Sequence, residues 1–133
     1  MIKSDEDLEV FLNKLDRRFE RLEDGTFLVG MGSGQPPVAV RLAPPVVVVH
    51  VAIGEAPSGD AKREARVFRR LLELNGTDLL HAFYALEDGH IVLSAALENE
   101  TLDLNELEAV FADLDLALAE HVSSLRGMVQ NKA

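Results

Sequence analysis

The chain has 133 residues, 47% of them hydrophobic and none of them cysteine. It can therefore bury a core without disulfides, and disulfide frameworks, thiolate zinc sites and cysteine catalysis are excluded. A formal net charge of −10 disfavours nucleic acid and anionic membranes as partners, because their phosphates would be repelled. We expect residues 1–133 to form one domain that needs no cofactor.

Neither a signal peptide nor a membrane span is apparent in the sequence. The segment from Met1 to Glu6 is polar and has no apolar signal-peptide core. No apolar run approaches the roughly 18 residues that a transmembrane helix needs. Together with the absence of cysteine, these features lead us to expect a cytoplasmic protein.

The first predicted helix begins after Ser4 and ends at Gly25. Ser4 and Asp7 have the spacing of a short capping box, and a glycine can adopt the positive φ that commonly ends a helix. The spacing of the apolar residues predicts one buried stripe, formed by Leu8, Phe11, Leu12, Leu15, Phe19 and Leu22.

Three strands are predicted before the second helix. Thr26 to Met31 and Val38 to Leu42 come first, and the run from Pro45 to Ile53 follows them. This third run is rich in β-branched residues and apolar on both faces, which predicts a strand in the middle of a sheet with both faces covered. Its Val48 is therefore expected to be buried, and the short connections predict an antiparallel meander.

The second predicted helix is capped by Asp60 and ends at Asn75-Gly76. One side of it is apolar and the other is strongly basic. The basic side is either a patch for an acidic partner or a solvated face paired to Glu64 and Glu73. It consists of Lys62, Arg63, Arg66, Arg69 and Arg70.

The clearest local signal is a hairpin formed by Leu79 to Leu86 and His90 to Leu97. The two apolar runs are joined through Asp88-Gly89, which favours a tight turn with both central residues at positive φ. Ala82 and Tyr84 are expected on the same face of the first hairpin strand as Leu86.

The last predicted helix is capped by Asp103, carries an apolar stripe from Leu104 to Leu125 and ends near Gly127. The element order is then α-β-β-β-α-β-β-α, which lacks the regular alternation of doubly wound parallel folds. We predict an α+β fold, with a five-stranded antiparallel sheet packed with helices and the strand order 1-2-3-5-4.

The four histidines do not form an obvious metal site. No two of them have the helical spacing of a ligand pair. His81 and His90 flank the predicted hairpin and could face each other, but no carboxylate is predicted nearby. We expect His50 to form a local hydrogen bond, and His121 to face solvent or an interface.

No pattern in the chain predicts catalysis. Gly30, Gly32 and Gly34 lead into a strand rather than into a helix that could hold a phosphate. The carboxylates lie along helix faces or in turns, and no serine has a nucleophile-elbow context. We therefore predict no catalytic residue, no metal and no enzyme activity.

The length, the acidic composition, the element order and the amphipathic C-terminal helix resemble the type III secretion chaperone-like family, which includes Tir-chaperone and YbjN-type proteins. The segment from Leu71 to Asn75, followed by a strand and the hairpin through Gly89, is similar to the family's passage from helix to strand. The stripe from Leu104 to Leu125 also fits.

This resemblance implies a bacterial, cytoplasmic homodimer that holds an unfolded segment of a client protein. The dimer face would involve the second helix and the hairpin strands, where Arg63, Arg66, Arg69 and Arg70 would form a partner or dimer patch. The client would bind exposed apolar surface of the first helix and the sheet. The residues implied are Phe11, Leu15, Phe19, Phe27, Val29, Val38 and Val40.

Two alternatives remain open at this point. The chain could be a YbjN-like regulatory or structural protein without a client. It could also be a small-molecule-binding protein or an enzyme, which requires a deep pocket with convergent polar groups near His50 or His81.

Overall fold

The computed structural model describes residues 1–32 and 34–130, which form six strands and four helices. The strands belong to one antiparallel sheet. In chain order the elements are α1 (Asp5–Lys14), β1 (Phe19–Arg21), β2 (Phe27–Val29), β3 (Val38–Ala43), β4 (Val46–Glu55), α2 (Ala61–Thr77), β5 (Phe83–Glu87), β6 (His90–Glu98), α3 (Leu104–Glu120) and α4 (Val122–Gln130).

The sheet has the strand order β1-β2-β3-β4-β6-β5. The α+β class and the antiparallel sheet are as predicted. The prediction of five strands in the order 1-2-3-5-4 is wrong. β1 is a sixth strand that pairs with β2 at the edge of the sheet, so the five predicted strands correspond to β2 to β6. The predicted central run is β4, which pairs with β3 on one side and with β6 on the other.

The extra strand arises where the first helix was predicted to continue. α1 ends at Lys14, and Asp16 adopts a positive φ of 57° that turns the chain out of the helix. Phe19 then pairs with Val29, and its ring packs edge-on against Phe27 at 5.8 Å. The apolar spacing that predicted a longer helix is satisfied instead by a strand that buries part of the Phe19 ring.

The helix starts are as predicted, but the ends are not. Ser4, Asp60 and Asp103 each accept a hydrogen bond from the backbone N–H three residues later. The last predicted helix is divided at His121 into α3 and α4, and α4 continues through Gly127. The predicted end at Gly127 is therefore wrong.

The hairpin turn is confirmed, because Asp88 and Gly89 both have positive φ, 49° and 77°. The first hairpin strand is shorter than predicted and begins at Phe83 instead of Leu79. Its Tyr84 is buried in the core with Ala82 and lies on the same face as Leu86.

All four helices contribute to one core on a single face of the sheet. Along β4 the side chains of Val47, Val49, Val51 and Ile53 are buried in this core, whereas Val48 points to the opposite face and is half-buried. The expectation that both faces of the central strand are covered, and that Val48 is buried, is therefore wrong. No described helix covers the second face, which we call the helix-free face.

We expect the two faces of β4 to respond differently to a charge. Val49→Asp should cost about 4 kcal/mol or more of unfolding free energy, because an unpaired carboxylate would enter the core. Val48→Asp should cost less than about 2 kcal/mol, because its carboxylate can reach water. Urea unfolding of both variants measures the difference, and equal losses would contradict the assignment of the two faces.

Candidate functional site

The two edges of the sheet differ in whether their outer backbone groups already have partners. At the β1 edge, the carbonyl of Arg18 accepts a hydrogen bond from Gly30 N–H, and Leu22 N–H donates to Thr26 O, both at 2.8 Å. The backbone of an antiparallel strand alternates sides. The N–H and C=O groups of Phe19 therefore point away from β2, towards the open edge.

The β5 edge is occupied by a side chain of α2. Tyr84 N–H donates to Asn75 Oδ1 at 2.7 Å, and Asn75 Nδ2 donates to the carbonyl of Tyr84 at 3.1 Å. The Asn75 amide therefore takes the place that a neighbouring strand would take at this residue. A strand added at Tyr84 would have to displace this amide, whereas the outward groups of Phe19 have no such competitor among the described residues.

A second side chain holds the segment just before β5. The buried carboxylate of Asp113 accepts hydrogen bonds from the backbone N–H groups of Leu80 and Ala82, both at 2.9 Å, and from that of His81. These bonds replace ladder hydrogen bonds, which explains why the strand begins only at Phe83.

Three of the predicted client-binding residues keep partly exposed apolar surface. Phe11 on α1, Leu15 at its C-cap and Phe19 on β1 pack against the core without being fully buried. Of these, Phe19 lies on the edge strand itself. The other four predicted client-binding residues have 0–1% exposure, so the prediction that they form an exposed surface is wrong. They are Phe27, Val29, Val38 and Val40.

Ion pairs hold the β1 segment against its neighbours. Arg21 pairs with Glu6 at 3.3 Å and Glu9 at 3.6 Å, and its guanidinium lies over the Phe27 ring. Arg17 pairs with Asp115 of α3 at 2.7 Å. These exposed pairs contribute little stability individually, but they fix the position of β1 beside α1 and α3.

An apolar groove lies on the outside of α2 and β5. Its most exposed members are Leu72, which is 71% exposed, and Leu86, which is 51% exposed. Exposed leucines of this kind are typical of interaction surfaces when they are contiguous. We call this surface the α2 groove. It is lined by Phe68, Leu71, Leu72, Asn75, Tyr84, Ala85 and Leu86.

The predicted basic patch on α2 is smaller than expected. Arg66, Arg69 and Arg70 are exposed, and Arg70 lies 4.0 Å from Glu73. Arg63 is only 16% exposed at its side chain and lies 3.9 Å from Asp60. Its inclusion in a solvent-facing patch is therefore wrong, because most of its length is buried against the protein.

Two histidines differ from their predicted environments. His121 is 5% exposed instead of facing solvent, because it fills the junction between α3 and α4. His81 precedes β5 and has no strand partner, whereas His90 pairs with Glu87. His81 and His90 therefore do not face each other across the hairpin.

His50 and His121 both take part in hydrogen bonds. The Nδ1 atom of His50 lies 3.0 Å from Ser94 Oγ on β6, which confirms the predicted local hydrogen bond. The Nε2–H group of His121 donates to the Asp78 carboxylate at 2.8 Å, and its Nδ1 atom lies 3.0 Å from the Tyr84 hydroxyl. This network joins the end of α2 to β5 and to the α3–α4 junction.

The network changes the acidity of two of its members. The hydrogen bond from His121, assisted by that from Thr77, lowers the pKa of Asp78. Burial raises the pKa of Tyr84, which keeps its hydroxyl protonated further into the alkaline range. Both shifts favour the arrangement in which the imidazole bridges a hydroxyl and a carboxylate.

Within residues 1–32 and 34–130, no cluster of three or more histidine, aspartate or glutamate side chains has the geometry of a metal site. The concave surface beside His50 is shallow and lined mainly by alanine, valine, threonine and arginine. Among the described helices, none combines the length and apolar character that a membrane crossing needs.

The roles of Asn75 and Asp113 are not among the predictions made from the sequence. The sequence predicts Asn75 only as the end of a helix, although an amide at that position can reach the backbone of the following strand. Asp113 had a visible signal, because it falls on the buried side of α3, between Val110 and Leu114, in an otherwise apolar stripe. A carboxylate in that position needs backbone donors.

We expect Asp78 to contribute stability that is lost in acid. Its folded pKa is depressed, so the contribution is present above the unfolded pKa and disappears as pH falls through the folded pKa. The difference in unfolding free energy between the wild type and Asp78→Asn should be larger at about pH 7 than at about pH 2. Chemical unfolding at both pH values measures it, and a difference that does not depend on pH would contradict the role of the carboxylate.

The family model CesT_Tir_1 matches residues 1–131 of the chain. This is a model of type III secretion chaperones. The chain matches no curated protein sequence.

Three solved structures have a similar fold. A chain of the heterodimeric ExoU–SpcU complex from the type III secretion system of Pseudomonas aeruginosa is 20% identical, with a TM-score of 0.63 over 92% of this chain and 98% of that one. YbjN, a putative transcription regulator from E. coli, is 15% identical, with a TM-score of 0.61 over 90% and 94%. The structure of the Yersinia pestis chaperone SycH with a fragment of YscM2 is 20% identical, with a TM-score of 0.58 over 89% and 95%.

Proposed function

Because the chain belongs to the CesT_Tir_1 family of type III secretion chaperones, we propose that it is a non-catalytic protein that holds an extended segment of a client protein. Residues 1–133 act as a single chaperone-like domain in the bacterial cytoplasm, where type III secretion chaperones typically act. SycH, which has a similar fold, was crystallised with a fragment of a second protein. That likeness motivates the proposal.

The single observation that carries the proposal is the outward backbone of β1, which bonds no described neighbour, with the partly exposed Phe19 ring on the same strand. The outward N–H and C=O groups of Phe19 and Arg21 offer a client strand main-chain hydrogen bonds. The Phe19 ring offers apolar surface to the side chains of that strand. A segment with alternating apolar residues therefore satisfies both its backbone and its side chains at this one place.

The opposite edge explains why we assign a single strand-binding site to each chain. Asn75 already bonds the outward backbone groups of Tyr84. A guest strand at β5 would have to displace this amide and leave it without partners. The β1 edge carries no such competitor, so strand addition costs less there.

The test is recovery of a client from the native host with two variants of Arg21. Arg21→Pro removes an outward N–H group that bonds no described neighbour, and proline is tolerated on edge strands. Arg21→Ala loses the same ion pairs with α1 but keeps the N–H group. We expect wild type and Arg21→Ala to capture the same client, and Arg21→Pro to bind it at least about tenfold more weakly, a loss of about 1.4 kcal/mol.

Two outcomes would contradict this assignment. Equal capture by Arg21→Pro and Arg21→Ala would mean that the client does not extend the sheet at β1. Failure of the wild type to retain any client from its native host would instead favour the YbjN-like alternative of a regulatory or structural role without a client. Circular dichroism of each variant establishes that it is folded.

We also propose that two copies associate through the α2 groove. Leu72 and Leu86 present apolar surface, and a twofold axis would place each groove against its equivalent. In an antiparallel pair of α2 helices, the N-terminal half with Arg66 would lie opposite the C-terminal half with the partner's Glu73. This arrangement offers the basic residues of α2 a carboxylate instead of another basic side chain.

A charge in the groove should separate the two copies. We expect wild type to sediment at twice the mass of the chain and Leu72→Glu to sediment at the mass of one chain, because the carboxylate would be buried without a partner. Leu80→Glu is the matched control, since Leu80 is 83% exposed and lies outside the groove. Analytical ultracentrifugation measures the masses, and a dimer that survives Leu72→Glu would contradict this interface.

A further inference from the structure

The helix-free face of the sheet is a continuous surface that the proposed client site and dimer site do not use. One row of side chains crosses all six strands, because each member is paired with the next in the ladder. Neighbouring rows run parallel to it. The central row contains Glu20, Leu28, Ala39, His50, Ser94 and Phe83.

Small apolar side chains predominate on this face of the two central strands. Ala52 pairs with Val92, and Val48 pairs with Ala96, so alanine and valine side chains alternate across the two central strands. Val92 is buried although it does not belong to the main core. On the two central strands, His50 and Ser94 are polar and already bond each other, and Arg41 of β3 lies beside Val48.

The border of the face is acidic. Glu20, Glu55, Glu87 and Glu98 all point to this side by their ladder positions, and each is exposed. None of them forms an ion pair with the described part of the chain. Two arginines lie on the same side, Arg41 by its pairing with Val48 and Arg18 by its pairing with Gly30, so the four glutamates leave an excess of negative charge.

We propose that the helix-free face is a docking surface for an amphipathic helix of a partner protein, with an apolar stripe flanked by lysine and arginine. Charge complementarity selects this occupant, because basic flanks would meet the acidic border. A second copy of the same face would place acidic border against acidic border, which disfavours self-association there. The proposal rests on the proposed role as a binding protein, but it uses a different surface.

The dimensions of the face suit one helix. Six strands at about 4.8 Å spacing make a surface about 24 Å wide. A helix of about 16 residues has the same length. Helices already cover the other face of this sheet, which is the usual way for an antiparallel sheet to bury an apolar surface.

The test uses a fluorescein-labelled synthetic helix of about 16 residues, with a leucine and alanine stripe flanked by lysines, titrated with the full chain in a fluorescence anisotropy assay. We expect saturable binding. Replacing the lysines of the probe with glutamates should weaken it at least about tenfold. Failure to bind, or binding that does not depend on the sign of the flanking charges, would overturn the proposal.

Matched variants separate docking from general attraction to an acidic protein. Ala96→Arg and Ala119→Arg change the net charge equally at exposed alanines, the first on the helix-free face and the second on α3. We expect Ala96→Arg to weaken binding at least about tenfold and Ala119→Arg less than about twofold. Equal weakening would overturn the proposal. If Ala96→Arg fails to fold, Ala52→Arg places the same charge on the same face.

The β1 edge provides the comparison with the proposed function. Arg21→Pro should leave binding of the synthetic helix unchanged, even where it abolishes capture of an extended client. If Arg21→Pro weakens the helix and Ala96→Arg does not, the helix binds at the client site and this proposal fails, while the proposed function stands. A wild-type oligomer that Ala96→Arg dissociates would instead identify a second copy as the occupant and overturn the proposal.

Discussion

The arrangement of this protein depends on the pairing of β4 with a strand on each side. Nine of the ten residues of β4 form ladders with β3 and β6, and alternation sends every second valine into one core. All four helices gather on that side because the buried valines offer them apolar surface. The remaining side chains of the strand are left on the other face. One strand thereby determines which side of the sheet is covered.

The side chains beside the two edges of the sheet differ in whether they bond the outer backbone of the edge strand. Asn75 satisfies the outer backbone of β5, and Asp113 satisfies the segment just before it. At β1 the neighbouring side chains are Arg17 and Arg21, which pair with carboxylates and leave the strand's outer backbone alone. The outward backbone of Tyr84 is therefore occupied, whereas that of Phe19 has no partner in the described part of the chain.

Local features of the fold could be predicted from the sequence because their causes are local. Ser4 and Asp60 act as caps through hydrogen bonds within one helical turn, and Asp88-Gly89 forms a turn through backbone conformations that glycine and aspartate tolerate. The strand at Phe19 could not be predicted in this way, since its spacing fits a helix and its partner Val29 decides the outcome. The same is true of Val48, whose burial depends on whether any helix packs above it.

The candidate site was less predictable than the fold, because exposure is a property of the whole assembly of elements. In the sequence, Val38 and Val40 are apolar residues of predicted amphipathic elements, as Phe11 and Leu15 are. Only Phe11 and Leu15 retain exposed surface.

The role of Asn75 has a consequence for growth of the sheet. A fibril grows by edge-to-edge pairing only if both edge strands of every chain can pair with another strand. Here the Asn75 amide already bonds the outward backbone of Tyr84 at the β5 edge. A chain that took up a strand at β1 would still present the Asn75 amide at its other edge, so strand-by-strand growth from chain to chain would be interrupted there.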